Sequence, residues 1–265
     1  MSAETLIMTV LFGGLPLMLA TWCAYGPVSR ARLEGFAQKQ RLDVTVGNGD
    51  RVIAYLAVTR RWRCAGAGLG CAIGFAWGLP EGRFQVNFLA LFAGWFVGAL
   101  VAELALARVR RGTRRAASLA VRTLATYLVP LTRGMLPLAA VVLTAASIVV
   151  LMHRAPQSVP AAAMAWIGFG TAILSLVTLV RRQVVTRARP VAEPDVLAAD
   201  DAIRTRSLHV LTSGGFVLAG FSAISAVNLA DPDAAAVRTV FGGLLVLLCG
   251  IVIAAGRGPQ RQGTS

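Results

Sequence analysis

Few residues of this chain could do chemistry inside an apolar segment. Glu103, in the run GALVAELALARVRR, is the one acidic residue within a long apolar run. An ionisable group in a membrane is costly, and it is a candidate for binding an ion or a substrate. Arg108 follows little more than one helical turn later, so Glu103 could instead pair with an arginine at the membrane surface. The sequence leaves both interpretations open.

Three polar residues recur at intervals of three in a later apolar run, namely Ser222, Ser225 and Asn228. Their side chains would share one helix face, where they could bond to a neighbouring helix or line a path for a solute. Asn228 would lie near the opposite side of the membrane from Glu103. A pathway that used both residues would therefore cross most of the bilayer.

The sequence offers little material for catalysis. The two histidines, His153 and His209, are predicted on opposite sides of the membrane, and no nucleophile–base pair, carboxylate dyad or HExxH motif can be assembled. The run GAGLG lacks the spacing of a dinucleotide-binding loop. We therefore predict no catalytic, cofactor-binding or metal-binding residues and favour a protein that is not an enzyme. An enzyme acting on lipid would need polar side chains clustered at one leaflet boundary, and the sequence shows none.

The composition places these residues in a membrane. The chain is 56% hydrophobic and 14% charged, with a mean hydropathy of +0.68, which is outside the range of water-soluble domains. Apolar runs reach the length of about 20 residues that a helix needs to cross a bilayer. We predict an all-α polytopic protein, a single membrane domain over residues 1–265, with seven spans at about 5–25, 64–80, 88–107, 135–153, 161–180, 208–230 and 239–255.

The basic residues predict the topology. Of the 26 Lys and Arg residues, 23 lie in alternate connecting segments, and the opposite side holds Arg83, Arg154 and Arg238. This bias places the N-terminus outside and the C-terminus in the cytoplasm. The first run lacks a basic leader and a small-residue cleavage site, so we expect it to be an uncleaved span. The net charge of +14 is thereby explained without nucleic acid, and the expected surroundings are a plasma membrane with anionic inner-leaflet lipids.

A glycine pattern predicts close helix packing. Small residues at intervals of four let two backbones approach in a membrane. The predicted second and third spans carry such faces, formed by Gly66, Gly70, Gly74 and Gly78 and by Gly94, Gly98 and Ala102. The connection between the two spans is short, so we expect an antiparallel hairpin within one chain. Pairing with a second copy, giving a homo-oligomer, is the alternative.

Two connecting segments have patterns of their own. Residues 114–130 have apolar positions at helical spacing and predict an amphipathic helix on the inner leaflet. Residues 41–56 contain both an alternating run and the turn signal GNGD, which leaves helix and β-hairpin open. We favour a helix with Asp50 as its N-cap and with a stripe formed by Val52, Tyr55, Leu56 and Thr59.

An acidic segment stands out among the basic ones. RPVAEPDVLAADDAIRTRS, residues 189–207, predicts a short cytoplasmic helix with Asp195 in its first turn and Asp200 spaced to pair with Arg204. Its acids could balance a basic inner surface. They could instead form a docking site for a soluble partner, with Asp195, Asp200, Asp201 and Arg204 as the contact residues.

The runs ARPVAEPDVLAADDAIRTRS, RRGTRRAASLAVRTLATYLVP and AYLAVTRRWR resemble segments of uncharacterised multi-pass membrane proteins from high-GC actinobacteria. The use of 25 Arg against one Lys is similar. The resemblance implies no activity. From the residues we expect a non-catalytic membrane component coupled to a cytoplasmic protein, a permease-like subunit or scaffold without a cofactor. The alternative is a self-contained secondary transporter or channel that uses Glu103 and Asn228.

Overall fold

The computed structural model shows a chain that is almost entirely helical. It describes residues 14–78, 87–108, 115–116, 123–152, 158–187, 189–190, 193–230 and 243. Within them lie eight α-helices: α1 (Leu15–Tyr25), α2 (Arg30–Gln40), α3 (Val46–Gly78), α4 (Phe88–Arg108), α5 (Leu124–Tyr127), α6 (Pro130–Met152), α7 (Ser158–Thr186) and α8 (Pro194–Ala230). Two short strands, β1 (Arg115–Ala116) and β2 (Arg189–Pro190), pair antiparallel.

Four of the described helices are long and apolar enough to cross a membrane. They cover Phe88–Ala107, Pro130–Met152, Ala161–Thr186 and Pro194–Ala230, and they correspond to the third to sixth predicted spans. Residues 64–78 form only the last part of α3 and are not among the four. The beginning of the first predicted span lies outside the described residues, as do His153 and the seventh predicted span apart from Gly243.

Several boundaries differ from those predicted. Helix α6 begins at Pro130 instead of 135, where a proline is well tolerated because the first helical N–H groups have no partner in the helix. The predicted short helix at 195–207 and the span at 208–230 are a single helix of 37 residues. The prediction of an amphipathic helix over 114–130 is wrong. Arg115 and Ala116 are extended, and among the described residues of this segment only Leu124–Tyr127 is helical before Pro130 begins α6.

Helix α3 begins five residues before the predicted start. Thr45 is its N-cap: its Oγ1 accepts a hydrogen bond from Asn48 N at 3.3 Å, and Asn48 Oδ1 accepts one from Thr45 N at 2.9 Å. This reciprocal arrangement satisfies two N–H groups, and it uses Asn where a capping box usually has Glu or Gln. The prediction of Asp50 as the N-cap is therefore wrong, and the hairpin alternative is excluded. Val52, Tyr55, Leu56 and Thr59 lie on this helix, and all four are buried.

The glycine faces of α3 and α4 lie against each other. A Cβ at Gly66 would overlap the carbonyl oxygen of Gly94, and one at Gly70 would overlap that of Ala90. A Cβ at Gly98 would likewise overlap the carbonyl oxygen of Trp62. The backbones of α3 and α4 are therefore in direct contact at these positions. Only glycine permits this approach, because any side chain would overlap the other helix. Helix α1 packs against another side of α3, where a Cβ at Gly68 would come 2.5 Å from Ala20 Cβ.

The remaining predicted packing positions lie at the ends of this contact. A Cβ added at Gly74 would come 2.8 Å from the Cβ atoms of Asn87 and Ala90. Ala102 is fully buried, and Gly78 is the last residue of helix α3.

The chain forms two compact units where the sequence analysis predicts one domain. Unit 1 contains Met1–Ala117 and Arg187–Ile203, and unit 2 contains Ser118–Thr186 and Arg204–Ser265. The core of unit 1 brings Phe36 of α2 and Tyr55 of α3 together with Leu106 of α4 and the beginning of α8. Unit 2 has two apolar clusters in which α6, α7 and α8 meet.

Candidate functional site

The predicted docking residue Asp200 lies inside a cluster of charges in unit 1. Its side chain is 1% exposed. Arg51 Nη2 donates to Asp200 Oδ1 at 2.9 Å, and Arg187 Nη2 lies 3.6 Å from the same oxygen. A carboxylate held in this way neutralises two arginines that are themselves mostly buried. The prediction that Asp200 faces the cytosol for a partner is therefore wrong.

Asp195 joins the start of α8 to the cap of α3. Thr45 Oγ1 donates a hydrogen bond to Asp195 Oδ2 at 2.6 Å. Asn48 Nδ2 donates a longer one, at 3.5 Å, to the carbonyl oxygen of Asp195. The other carboxylate oxygen accepts the N–H of Val196 at 2.7 Å. An acid in the first turn also complements the positive end of the helix dipole. Asp195 therefore acts as a structural link between two helix starts.

Arg204 is fully buried in unit 2 and lies at the end of α7. Its Nη1 donates to the carbonyl oxygens of Val184 and Val185 at 3.0 and 3.3 Å. These carbonyls belong to the last turn of α7, where a cation is favoured by the helix dipole and by acceptors without helical partners. Arg204 is thus a C-terminal cap, and its predicted role as an exposed docking residue is wrong. Asp201, the last of the four predicted docking residues, is half-buried.

Glu103 is buried in unit 1. Its side chain is 3% exposed, although it belongs to a helix that is apolar enough to cross a membrane. Leu106, one turn later, packs in the core of the unit. The carboxylate therefore lies among protein groups instead of at an exposed membrane surface.

The three polar residues near the end of α8 differ in burial. Ser222 is fully buried, and its hydroxyl donates to the Leu218 carbonyl oxygen of its own helix at 2.7 Å. A Cβ at Gly170 would come 3.0 Å from Ser222 Cβ, so Ser222 lies at the contact of α7 and α8. Ser225 and Asn228 are half-buried. Asn228 belongs to unit 2 and Glu103 to unit 1.

Several buried polar residues of unit 2 were missed by the sequence analysis or noted without a role. Among them are Thr132, Arg181 and His209, which are 0%, 5% and 9% exposed. Each has a side-chain atom without a hydrogen-bond partner in the part of the chain that the structure describes, namely Oγ1, Nε and Nδ1. One available signal was Arg181, the first residue after the apolar run AILSLVTLV. A second was the complete lack of Asp and Glu between Glu103 and Glu193.

Metal-ligating side chains do not gather in the described residues, where no group of three His, Cys, Asp or Glu could hold an ion. Cys23, Cys64 and Cys71 are free thiols. Among the described parts of the chain, the groups best suited to chemistry are therefore the buried carboxylate of Glu103 and the buried polar residues of unit 2.

No protein-family model, curated protein or solved structure matches the chain. The resemblance to actinobacterial membrane proteins stays a prediction, and function must be argued from the residues themselves.

Proposed function

We propose that the chain is a multi-pass plasma-membrane protein with seven spans, an outer N-terminus and a cytoplasmic C-terminus. Four helices of suitable length and hydropathy support the proposal. The distribution of Lys and Arg supports the orientation, since 23 of 26 lie in segments that this topology places in the cytoplasm.

Within that membrane we infer a non-catalytic, permease-like component that is coupled to a cytoplasmic protein. The observation that carries this inference is helix α8, which runs without interruption for 37 residues from Pro194 to Ala230. At 1.5 Å per residue it is about 55 Å long, well beyond the roughly 30 Å of a hydrocarbon core. Its first turns would therefore extend beyond the hydrocarbon core, and the same helix continues into the apolar segment.

The projecting end of α8 is held by unit 1. Asp195 is bound by the Thr45 hydroxyl, and Asp200 is bound by two arginines. A partner that shifts this end of the helix would have to act through the surface of the same unit. Helix α2 offers such a surface, because its polar face is exposed and carries Arg30, Arg32, Glu34 and Lys39, while Phe36 anchors it to the core.

The experiment is gentle purification from native membranes followed by mass spectrometry. Wild type is compared with Arg30→Glu/Arg32→Glu on α2 and with the control Arg133→Glu/Arg182→Glu, which reverses two exposed arginines of unit 2. We expect a stoichiometric soluble partner in wild type and control that is lost from the α2 variant. Equal recovery in all three would remove α2 as the docking surface, and no partner in any sample would refute the coupling.

A self-contained secondary transporter or channel is the second candidate, and the burial of Glu103 in an apolar helix favours it. It predicts that Glu103→Gln fails to complement a deletion of the gene although the variant protein reaches the membrane at wild-type levels. Full complementation by Glu103→Gln would rule out a role of this carboxylate in transport.

A further inference from the structure

Unit 2 contains buried polar groups that its own described residues do not satisfy. Thr132 lies on α6, Arg181 on α7 and His209 on α8, and the three atoms Oγ1, Nε and Nδ1 are shielded from solvent without a hydrogen-bond partner in the described ranges. A buried polar group without a partner costs free energy, because it has lost its hydrogen bonds to water, and a charged one costs more. Unit 2 has a fourth such atom, Oδ1 of Asn228 near the end of α8. These groups need an explanation, and the first three are considered together because of where their helices place them.

The packing of α6 against α8 places Thr132 and His209 on facing sides. Met135 and Phe216 share an apolar cluster, in helices that run in the same direction. Thr132 lies three residues before Met135, and His209 lies seven residues before Phe216. These intervals are about one and two helical turns, so both side chains follow the faces on which the cluster forms.

The packing of α7 against α8 places Arg181 at the same level. A Cβ at Gly215 would come 2.9 Å from Val177 Cγ2, and Arg204 donates to the carbonyl oxygen of Val184. Arg181 lies between Val177 and Val184 in α7. It therefore faces the part of α8 between Arg204 and Gly215, and His209 lies in that part. By helical register, the three positions therefore lie within about two helical turns of one another along the helices.

The charge of the unit is unbalanced at this level. Unit 2 contains two acidic residues in its whole sequence, Asp231 and Asp233, and both follow the end of α8 at Ala230. Arg204 is engaged with carbonyl oxygens at the end of α7. Among the described residues of unit 2, Arg181 therefore has no carboxylate beside it, and a bound anion would supply the negative charge.

We propose that Thr132, Arg181 and His209 bind an anionic oxygen group, a phosphate or a carboxylate, inside unit 2. A guanidinium matches the geometry of such a group, and its N–H donors bind it more strongly than neutral donors do. The histidine ring and the threonine hydroxyl add one donor each. The group can belong to a small solute or to the headgroup of an anionic lipid. This site stands independently of the cytoplasmic partner proposed above.

The test uses the full-length chain, purified in a neutral detergent and in phosphate-free buffer. The probes are inorganic phosphate and, separately, phosphatidylglycerol added to the micelles, with chloride at equal ionic strength as the reference. Thermal unfolding is followed by tryptophan fluorescence. Arg182→Gln is the matched control, because Arg182 is the next residue of α7 and is exposed.

We expect phosphate to raise the Tm of wild type and of Arg182→Gln, and to leave that of Arg181→Gln unchanged. Thr132→Val and His209→Gln should each bind phosphate more weakly, by roughly tenfold in Kd, which corresponds to about 1.4 kcal/mol. If phosphatidylglycerol alone raises the Tm, with the same dependence on Arg181, the bound group is a lipid headgroup. Equal shifts in Arg181→Gln and Arg182→Gln, or no shift with either probe, would refute the site.

A second readout separates binding from a structural role. Without any anion, Arg181→Met should unfold at the wild-type temperature or above, because it removes a buried charge that costs free energy. An arginine that held the unit together would instead give a lower Tm on this substitution, and that result would overturn the proposal. Should Arg181→Gln fail to fold, Thr132→Val and His209→Gln still decide the question.

Discussion

Single charges in this protein are placed by partners that are distant in the chain. Asp200 and Arg51 are 149 positions apart, yet their side chains meet at 2.9 Å. Burial removes Asp200 and most of Arg51 from water, so the attraction between them mainly offsets the cost of desolvation. The same burial makes the cluster sensitive to the loss of one member, because the remaining charges cannot return to solvent without a change in packing.

Asp200→Asn tests this sensitivity. We expect a loss of about 3–5 kcal/mol in the free energy of unfolding, since Arg51 and Arg187 keep their charges without the carboxylate. Equilibrium unfolding in mixed micelles gives the difference. The control is Asp50→Asn, which changes an exposed carboxylate of α3 and should alter stability by less than about 0.5 kcal/mol. Equal effects of the two substitutions would mean that the buried cluster contributes no more than a surface charge.

At the scale of elements, the contact between α3 and α4 depends on small residues. The carbonyl oxygens of Gly94 and Ala90 lie where a Cβ at Gly66 or Gly70 would be. In a membrane, helices associate through van der Waals packing because lipid removes the ordinary hydrophobic drive. The sequence predicted this contact well, since the spacing of four that brings glycines onto one face is a local property of a helix.

Gly70→Ala should force α3 and α4 apart. The added methyl group would overlap backbone atoms, which cannot rotate away as a side chain can, and we expect a loss of about 1–3 kcal/mol. Gly168→Ala is the matched control in another apolar helix, where a Cβ meets nothing within 4 Å. Thermal unfolding of both purified variants checks the prediction, and a Gly70→Ala protein as stable as Gly168→Ala would contradict it.

At the scale of the whole molecule, the proposed topology places the two termini on opposite sides of the membrane. An odd number of spans is required for this, and the basic segments should all face inward. Because the proposal assigns a side to every connecting segment, each of them can be tested by chemical labelling.

Single cysteines report the side directly in a variant that lacks Cys23, Cys64, Cys71 and Cys249. A membrane-impermeant maleimide should label Ser2→Cys and Gln157→Cys in intact cells. Thr113→Cys and Thr264→Cys should react only after permeabilisation. Labelling of Ser2→Cys and Thr264→Cys from the same side would show an even number of spans and overturn the seven-span topology.

The sequence by itself determined the helical class, the four apolar helices and the glycine contact, because run length and spacing depend on neighbours within a few turns. The prediction placed the N-cap of α3 at Asp50, because the turn signal GNGD is stronger than the capping signal of Thr45 and Asn48. The predicted roles of Asp200 and Arg204 were also wrong. Only the tertiary structure decided these roles and the burial of Thr132, Arg181 and His209. The physical reason is that the free energy of a charged or polar side chain depends on its burial and its partners, and chain segments far apart in sequence supply both.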